Sequence, residues 1–523
     1  MRLSALAAIW LLCLPAQAVA GGLFTPDTGT IGLGRGGAWV ARASDVPGAL
    51  YYNPAGLWQV DGWTMAGGVN LYAAQRSLQR TDGPEEYAPT SMRYRLRPHP
   101  EVGIAWGLPK PDLTFAIGLT SPLAPIQDWA LDGPGRYRLI HQTVRQGNFH
   151  FAAAIRPVRF VAFGVSAQLV YMDLVETFAG QADLITPDDE PNPENPDWDV
   201  LAEFSAVSIR PQVSIGVMVM PTPWLRIGTS FEPPYRFRGQ GSARLSGSVG
   251  GESNAVALFG DGPIHVVGED DDISVDIGLP GRLRFGVDVE PIPQRLSFGL
   301  DVHVEIWNGT GDITATGVDM PLMYDDPDDD LPAEPLVDYL YRSGLCPPAS
   351  ILGVDCGDGS SNPPGAGSSL ETYRGDGGSI TVPADFRDAV SVRFGVEGTP
   401  HPALALRLGY LIESPSIPLE TQSLTAHDGW KNMLAGGLSL RLGARQTGDR
   451  PLVELHVTYA HLWYDDRVVA GDVGRGRTTV VEGVPANPID AGTYSASVDQ
   501  VAFGATVHFG AIGQRAAEPV MRR

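Results

Sequence analysis

The stretch LRFGVDVEPIPQRLSFGLDVHVEIW, residues 283–307, places an apolar residue at every second position on both sides of a short break. Successive side chains of a β-strand point to opposite faces, so each half predicts a strand with one apolar and one polar face. The break, PIPQ at 291–294, is a turn sequence, because proline favours turns and has no backbone N–H to donate to a sheet. In the second strand the apolar face carries Leu296, Phe298, Leu300, Val302, Val304 and Ile306, and the other face carries Ser297, Gly299, Asp301, His303, Glu305 and Trp307.

The same alternation recurs along the chain and predicts fourteen strands. They are long compared with the roughly five or six residues usual for strands of soluble proteins, which argues against a soluble β-sandwich or propeller. The predicted strands lie at about 61–75, 91–107, 112–121, 145–157, 160–174, 204–220, 223–240, 279–291, 294–308, 387–399, 402–414, 431–445, 450–465 and 494–509.

The connections between these strands alternate in length. Short turns occur at 108–112, 156–159, 221–223, 291–294, 399–402 and 446–451. Long polar loops are predicted at 175–203, 241–278, 309–386, 415–430 and 466–493. This alternation is typical of outer-membrane β-barrels. Hydrocarbon offers no hydrogen-bond partner, and closure of the sheet gives every strand edge a neighbouring strand to pair with. We therefore predict an all-β fold, a transmembrane antiparallel β-barrel of about 14 strands that spans 59–509.

The N-terminus has the three parts of a secretory signal peptide. Arg2 is followed by an apolar run and then by small residues, so we expect residues 1–20 to be removed. After them, no apolar run reaches the roughly 18 residues that a membrane helix needs. Export without such a helix, together with the barrel pattern, predicts the outer membrane of a Gram-negative bacterium.

Charge and aromatic residues refine this prediction. The chain has 37 Lys and Arg against 60 Asp and Glu, a net charge of −23, so nucleic acid is not an expected partner. Aromatic residues near strand ends are candidates for interfacial belts: Trp63, Trp106, Trp224, Trp307, Tyr410, Trp463 and Phe509. Charges of both signs lie on the polar faces, where an open porin would use them for polar solutes and a plugged barrel to anchor its plug: Arg284, Asp288, Glu290, Asp301, Glu305, Arg393, Glu397, Arg407 and Arg441.

The segment before the first strand contains IGLGRGGAWVARASDVPGALYYNPAGL at 31–57, with a G-x-G-x-x-G at Gly32, Gly34 and Gly37. A dinucleotide site would need a preceding hydrophobic strand, a following helix and an acidic residue about twenty positions later, and these are missing. Residues 21–58 are also too few to fold alone. We therefore expect them to form a hatch inside the barrel, where glycines let the chain pass through a crowded lumen.

Motifs for catalysis and metal binding are not evident. No serine lies in G-x-S-x-G, and His303, His456 and His508 fall on different strands without a partner motif. The acidic stretches at 188–199, 269–272 and 324–334 lack EF-hand spacing, so solvated loops are the favoured interpretation. We expect no enzymatic activity, no cofactor and no metal, although a lipid hydrolase and calcium-binding loops are minor alternatives.

The hatch segment resembles the N-terminal signature of the FadL family of outer-membrane transporters. The similar elements are Gly32 to Gly37, Asp45 to Ala49, and NPAGL at Asn53 to Leu57, the most specific of them. Further similarity follows in order along the chain: GPGRYRL at 133–139, the strand pair at 277–307 and the strand pair at 386–418.

The resemblance implies a fourteen-stranded barrel with an N-terminal hatch that carries long-chain fatty acids or aromatic hydrocarbons without an energy source. Substrate is captured outside, passes to a lumen pocket and leaves sideways through a gap at a kinked strand near the hatch. Two features depart from this pattern: the insertion at about 309–386 and the tail at 510–523. Cys346 and Cys356 lie in the insertion, and in an exported protein a disulfide between them is favoured.

The leading hypothesis is passive uptake of hydrophobic small molecules, long-chain fatty acids foremost, by a monomer that contacts outer-membrane lipid and lipopolysaccharide. A structural or adhesive protein with ligand-binding acidic loops and a general polar porin remain as alternatives. The candidate hatch or gate residues are Gly34, Gly37, Asp45, Asn53 and Pro54, of which Asn53 and Pro54 either set the hatch conformation or only lead the chain into the first strand. Strand parity nominates Met218, Met220 and Leu411 as substrate contacts.

Overall fold

The computed structural model describes residues 28–81, 87–109, 112–122, 126–181, 194, 199–249, 264–316, 319–320, 323–324, 334–335, 373–374, 379–382, 385–446, 450–471, 473 and 489–509. Fourteen long antiparallel strands form a closed barrel, which confirms the predicted fold. Each strand pairs with the next along the chain. The first strand also pairs with the last, from Trp63 opposite Phe509 to Arg80 opposite Gly492, so the sheet closes on itself.

The barrel strands are β1 (Gly62–Arg80), β2 (Leu96–Pro109), β3 (Asp112–Thr120, resuming at Ile126–Asp128), β4 (His141–Val158), β5 (Val161–Gln181), β6 (Asp199–Thr222), β7 (Leu225–Glu232 and Tyr235–Val249), β8 (Ile264–Leu279 and Gly281–Ile292), β9 (Leu296–Ile306), β10 (Ala389–His401), β11 (Leu404–Glu413), β12 (Lys431–Leu442), β13 (Val453–Tyr464) and β14 (Gly492–Phe509). Short additional strands are Thr90–Ser91, Ile313–Thr316, Asp319–Met320, Met323–Tyr324, Glu334–Pro335, Tyr373–Arg374, Ser379–Val382 and Arg467–Val469. Two short helices, α1 (Thr30–Gly34) and α2 (Val46–Tyr52), and a 3-10 helix (Pro54–Gln59) precede the barrel, and a second 3-10 helix (Leu419–Thr421) follows β11.

The two faces of the strands follow the predicted parity. On β9, Phe298 and Leu300 point outward and are 38% and 51% exposed, while Asp301 and His303 point into the lumen and are buried. An outward surface made of apolar side chains suits hydrocarbon, and the charges are kept away from it. No described helix is long and apolar enough to cross a membrane.

Six of the seven aromatic candidates for interfacial belts are exposed near an end of the barrel, as predicted. At the end with short turns, Trp63 stacks on Trp106 with 5.4 Å between ring centroids, and Trp224 and Phe509 are also exposed. At the end with long loops, Tyr410 and Trp463 are exposed. The prediction for Trp307 was wrong, because this side chain is buried, packs on Phe386 and donates its indole N–H to Glu305.

The loop predicted at 241–278 was also wrong in its extent. Most of it is strand, because β7 continues to Val249 and β8 begins at Ile264. Beyond the prolines that interrupt these strands the parity reverses: Phe237, Ile273 and Ile277 point inward and are buried. An extension outside the bilayer needs no apolar outer face, so the alternation that marked the membrane strands ends there.

Several predictions lie outside the described residues: the signal peptide at 1–20, the disulfide between Cys346 and Cys356, most of the insertion and the tail at 510–523.

Candidate functional site: the hatch in the barrel lumen

Residues 28–61 lie inside the barrel and touch all fourteen strands. Helix α1 lies against β1 and β11–β14, and α2 with the 3-10 helix lies against β1–β6. The remaining strands, β7–β10, are reached through side-chain hydrogen bonds and ion pairs. The lumen is therefore occupied by protein at this level, as expected for a plugged barrel.

Two hatch arginines anchor this segment to one side of the wall. Arg35, which is fully buried, lies 2.8 Å from Asp288 on β8. Arg42 contacts both Asp288, at 3.1 Å, and Glu397 on β10, at 3.3 Å. The carboxylate of Asp301 adds a hydrogen bond from the backbone N–H of Val40. Charged residues of the lumen thus anchor the hatch, which is the use expected for them in a plugged barrel rather than in an open porin.

Sequence reasoning did not identify Arg35 and Arg42 as functional residues. The available signal was their position in a segment of small and apolar residues that precedes strands with carboxylates on their lumen faces. A buried guanidinium requires a partner, because an unpaired buried charge is costly. Only the structure shows which carboxylates these are.

The glycine-rich turn passes close to the wall between β11 and β13. A Cβ added to Gly34 would lie 3.4 Å from the Cα of Gly437. Gly36 and Gly37 have φ values of 62° and 76°, which side chains disfavour. A Cβ on the facing Gly409 would lie 2.0 Å from the carbonyl carbon of Arg35. The glycines therefore permit two backbones to touch, which agrees with a threading role.

Asp45 caps helix α2. Its carboxylate accepts hydrogen bonds from the backbone N–H of Gly48, at 2.8 Å, and from the indole N–H of Trp39, at 2.7 Å. Burial raises the pKa of Asp45 above its ordinary value despite these two bonds. This predicted hatch residue thus holds the helix to the glycine-rich turn that precedes it.

Asn53 joins the hatch to β6. Its Nδ2 donates to the carbonyl oxygens of Val40, at 3.0 Å, and Val217, at 3.2 Å, while Oδ1 accepts from the N–H of Ala55, at 3.0 Å. Pro54 is the first residue of the 3-10 helix. Asn53 therefore does more than lead the chain into β1: it binds the hatch to itself and to the wall.

Glycines of β5 and β6 make room for this turn. A Cβ on Gly216 would lie 2.0 Å from Asn53 Oδ1, and one on Gly164 would lie 2.2 Å from the backbone nitrogen of Ala55. On β7, Ser230 donates its hydroxyl to the carbonyl oxygen of Tyr52, at 2.6 Å. The NPAG turn is thus fitted closely against β5, β6 and β7.

The three nominated substrate residues lie in different surroundings. Met218 is fully buried under the 3-10 helix with Ala55 and Trp58, and Leu411 is fully buried in a cluster that includes Leu33. Met220 lies near the turn that ends β6. Met218 and Leu411 face the lumen as parity predicted, but in this conformation they contact the hatch.

The described residues form cavities in the lumen, two of which arginines line. The first has room for about one water molecule and lies between β1, β2 and the part of β3 that begins at Ile126; it is lined by Tyr72, Arg76, Met92, Arg95, Arg97 and Ile126. The second also has room for about one water molecule, lies beside the hatch, and is lined by residues of both charges: Tyr51, Arg282, Arg284, His303, Glu305, Ser391, Arg393 and Glu413. Among the described residues Arg284 Nη1 has no hydrogen-bond partner, although its guanidinium lies over the ring of Tyr51.

The loop end of the barrel is covered by the segment at 129–140, which contains the GPGRYRL stretch. An apolar cluster forms beneath it from Leu78, Met92, Trp129, Leu139, Leu424, Val469 and Tyr494. Arginine–carboxylate ion pairs with largely buried side chains surround this cluster: Arg80–Glu194, Arg136–Asp199 and Arg138–Asp490. The cover is therefore tied to loop residues on several sides.

A closed fourteen-stranded barrel with a hatch in its lumen defines a class of outer-membrane transport proteins. A family model described as "Outer membrane protein transport protein (OMPP1/FadL/TodX)" matches residues 11–483. The chain belongs to this family, and it is an outer-membrane protein that transports hydrophobic compounds.

Solved structures share the fold at low sequence identity. A FadL homologue of Pseudomonas aeruginosa superposes with a TM-score of 0.66 at 12% identity, covering 94% of this chain and 100% of the other. The toluene transporter TodX of Pseudomonas putida gives 0.58 at 13%, covering 92% and 98%. The toluene transporter TbuX of Ralstonia pickettii gives 0.54 at 13%, covering 92% and 98%. No curated protein matches the chain in sequence.

Proposed function

We propose that this protein mediates passive uptake of hydrophobic small molecules, long-chain fatty acids foremost, with the hatch as gate. The observation that carries the proposal is the contact of the hatch with all fourteen strands. A general polar porin keeps an aqueous channel through its lumen, whereas here protein fills it. The gate residues are Gly34, Gly37, Asp45, Asn53 and Pro54.

The break in β3 supports a sideways exit near the hatch. Among the described residues β3 runs to Thr120 and again from Ile126, and the arginine-lined cavity between β1 and β2 includes Ile126. Among the described residues, 96–101 of β2 and 144–147 of β4 have no ladder partner on this side. Hydrophobic molecules partition readily from water into an apolar phase, so passage from the lumen to the bilayer needs no energy source.

Hatch movement would also change what Met218 and Leu411 contact. Both side chains face the lumen and are covered by the hatch in this conformation. When the hatch moves, they become apolar lumen surface that a substrate can use. Met220 lies two residues beyond Met218 on β6, toward the turn that ends the strand. These three residues are therefore proposed contacts of the open state.

One arginine of the cavity beside the hatch, Arg284, supports a substrate with a carboxylate. In the same cavity Arg282 and Arg393 already pair with Glu232 and Glu413. Guanidinium groups bind carboxylates through paired hydrogen bonds, and Arg284 retains an N–H without a hydrogen-bond partner in the described structure. A neutral aromatic hydrocarbon would not use this donor. We therefore favour fatty acids over the aromatic compounds named for the transporters TodX and TbuX.

Uptake into liposomes tests this function. Liposomes containing the purified protein are given labelled oleate or labelled toluene, and protein-free liposomes are the control. We expect faster oleate uptake with the protein, reduced by excess unlabelled oleate more than by toluene. Equal rates with and without the protein would refute transport, and competition by toluene alone would reverse the substrate preference.

Removal of residues 21–58 tests the gate in the same liposomes. The barrel without its hatch should pass small sugars, which the full protein excludes. Sugar permeability that is unchanged by the deletion would contradict a gating role.

A further inference from the structure

Two arginines lie on the outer surface of β7, just beyond the prolines that interrupt this strand. Arg236 and Arg238 belong to the outer piece of β7, and Phe237 between them faces the lumen and is buried. The arginine side chains, on the opposite face, are 41% and 64% exposed. In a chain with a net charge of −23, they form an outward pair of positive charges on the barrel wall.

Asp276 on the neighbouring strand β8 holds both arginines. It is the ladder partner of Arg238. Its Oδ1 accepts a hydrogen bond from Arg236 Nε, at 2.6 Å, and its Oδ2 accepts one from Arg238 Nε, at 3.1 Å. Arg236 Nη1 also donates to the carbonyl oxygen of Thr310, at 3.1 Å. Because one carboxylate neutralises only one guanidinium, the three side chains keep a charge of +1. In the described part of the chain, both Nη groups of Arg238 remain available to a further acceptor.

The two arginines lie at the level of the lipid headgroups. Trp224 is exposed at the turn end of β7, where such barrels have an aromatic girdle. Arg236 lies twelve residues further along the chain. At a rise of about 3.3 Å per residue and a strand tilt of about 40°, the two residues are about 30 Å apart along the membrane normal. The apolar band of such barrels is about 25 Å tall, so the arginines lie just beyond its border at the end with long loops.

Apolar side chains occupy the outer surface next to the arginines. Ser208 Oγ and Arg210 Nη2 both donate to the carbonyl oxygen of Arg238, at 2.9 Å. These bonds place Ile209, the residue between them on β6, beside Arg238 on the outer surface, where Ile209 is 63% exposed. Phe231, on the inner piece of β7, is also exposed. A ligand at this place meets apolar surface toward the membrane and guanidinium donors above it.

A phosphorylated glycolipid has the polarity that this surface requires. Guanidinium groups bind phosphate through paired hydrogen bonds, and a phosphate monoester carries a charge of about −1.5 to −2 at neutral pH. Basic side chains at a membrane surface attract anionic headgroups. Lipopolysaccharide, which forms the outer leaflet of an outer membrane, carries phosphate on its lipid A sugars, directly above the acyl chains. Free phosphate would leave the apolar surface uncovered.

We propose that Arg236 and Arg238 bind a phosphate group of a lipopolysaccharide molecule in the outer leaflet, with Ile209 in contact with an acyl chain. Asp276 is a positioning residue: it fixes both guanidinium groups through their Nε atoms and does not contact the phosphate. The bound lipid joins the outer pieces of β7 and β8 to the membrane surface. This site lies outside the lumen and does not depend on the proposed uptake function, only on the outer-membrane location of the chain.

Other outward arginines provide a matched control. Arg145 on β4 lies 3.4 Å from Asp173. Arg244, further out on β7, is the ladder partner of Glu203. Each of these arginines has a carboxylate of its own nearby, and Arg244 also lies farther from the bilayer. The double variant Arg145→Gln with Arg244→Gln therefore removes two positive charges from the outer surface without altering the proposed site.

Binding of fluorescent lipid A to the full chain in a neutral detergent tests the site. Circular dichroism first confirms that the variants are folded. The parent protein should bind bisphosphorylated lipid A saturably, and added salt should weaken the binding. Arg236→Gln with Arg238→Gln should weaken it roughly ten-fold, because hydrogen bonds to a charged group are lost, whereas the control variant should keep the affinity of the parent. Equal affinities of the site variant and the parent would overturn the proposal, as would an equal loss in the control variant.

Unlabelled competitors test the identity of the ligand on the parent protein alone, so this experiment does not depend on the folding of any variant. Bisphosphorylated lipid A should displace the probe, and enzymatically dephosphorylated lipid A should require a roughly ten-fold higher concentration. Inorganic phosphate at the concentration of the lipid should not displace it. Displacement by inorganic phosphate would refute a lipid ligand, and equal displacement by phosphatidylglycerol would refute lipopolysaccharide as the specific occupant. Equal displacement by dephosphorylated lipid A would refute phosphate recognition. Oleate uptake is not a readout here, so failure of the transport function would leave these results unchanged.

Discussion

The hatch is held differently on its two sides. Toward β8 and β10, charged groups hold it, since Arg35 and Arg42 contact Asp288 and Glu397. Toward β5 and β6, the NPAG turn at 53–56 is held by neutral hydrogen bonds and by close fit against wall glycines. Breaking a buried ion pair costs several kcal/mol, whereas a neutral hydrogen bond contributes about 1 kcal/mol net. We infer that the hatch pivots on its charged side and leaves the wall first at β5 and β6.

The largest effect is expected from Asp288→Ala. This change leaves the fully buried Arg35 without its carboxylate and removes one of two partners of Arg42. The cost to hatch binding is about 3–5 kcal/mol, since an uncompensated buried charge remains. Single-channel recording in planar bilayers should show frequent ion-conducting openings that the parent protein lacks.

The control for Asp288→Ala is Asp112→Ala. Asp112 pairs with Arg156 at the turn end, where both side chains are partly exposed, and a surface ion pair contributes about 0–1 kcal/mol. Its conductance should match that of the parent. A quiet channel in Asp288→Ala would show that the charged side is not the main anchor.

A smaller but more local effect is expected from Gly216→Ala. The new methyl group would lie 2.0 Å from Asn53 Oδ1, so the NPAG turn must leave the wall or the strand must shift. Overpacking of this kind costs about 1–3 kcal/mol. Because the charged anchors remain, uptake of oleate should rise or fall without general ion leakage.

Gly436→Ala is the matched control for this steric test. A Cβ at Gly436 meets no described atom closer than 3.8 Å, so its uptake and conductance should equal those of the parent. If Gly216→Ala conducts ions as freely as Asp288→Ala, the two sides of the hatch are not different in strength, and the pivot model is wrong.

Ser230→Ala removes a single neutral bond from the weaker side. The hydroxyl donates to the carbonyl of Tyr52 at 2.6 Å, and its loss should cost about 1 kcal/mol. We expect a modest change in oleate uptake rate. Ser297→Ala on β9 is the control, because Ser297 Oγ is buried without a hydrogen-bond partner in the described structure. Identical oleate uptake rates for the two variants would show that the Ser230 hydrogen bond does not help to hold the hatch.

The sequence predicted what strand periodicity determines and little beyond it. The number of strands, the inward position of Asp288 and Glu397 and the hatch location follow from alternation, segment length and the NPAGL resemblance. The contact between Arg35 and Asp288 does not, because it joins residues 253 positions apart and depends on which strands become neighbours across the lumen.

The hydrogen-bond partners of Asn53 and the interruption of β7 and β8 at prolines were equally hidden from the sequence. Pro211, Pro233 and Pro234 are visible in the sequence, but proline alone does not show whether a strand bends, ends or bulges. Residues 241–249 of β7 and 264–278 of β8 were predicted as loop, because outside the bilayer the apolar side chains of these strands face inward. Alternation with an apolar outer face therefore identifies strands that face lipid, but not their extensions outside the membrane.

The smallest expected effect is the pH dependence of hatch stability, which depends on Asp45. Burial raises the pKa of Asp45 above the ordinary 3.8, so the folded hatch binds this proton more tightly than the released chain does. Hatch stability is then highest at low pH, falls as pH rises from 3.8 through the raised value, and is constant above it. Openings in planar bilayers should become more frequent over that window, on a background set by other titrating groups.

Asp45→Asn removes this titration. One amide oxygen can still accept the hydrogen bond from Gly48 or from Trp39, but not both, so at neutral pH the lost bond opposes the relief of a buried charge. We expect a frequency of openings close to that of the parent at neutral pH, and a weaker increase of this frequency as pH rises from 3.8 to the raised pKa of Asp45. An unchanged pH profile in Asp45→Asn would place the titrating group elsewhere. A lost profile together with free ion leakage would mean that the α2 cap, rather than the Arg35 and Arg42 anchors, holds the hatch in the barrel.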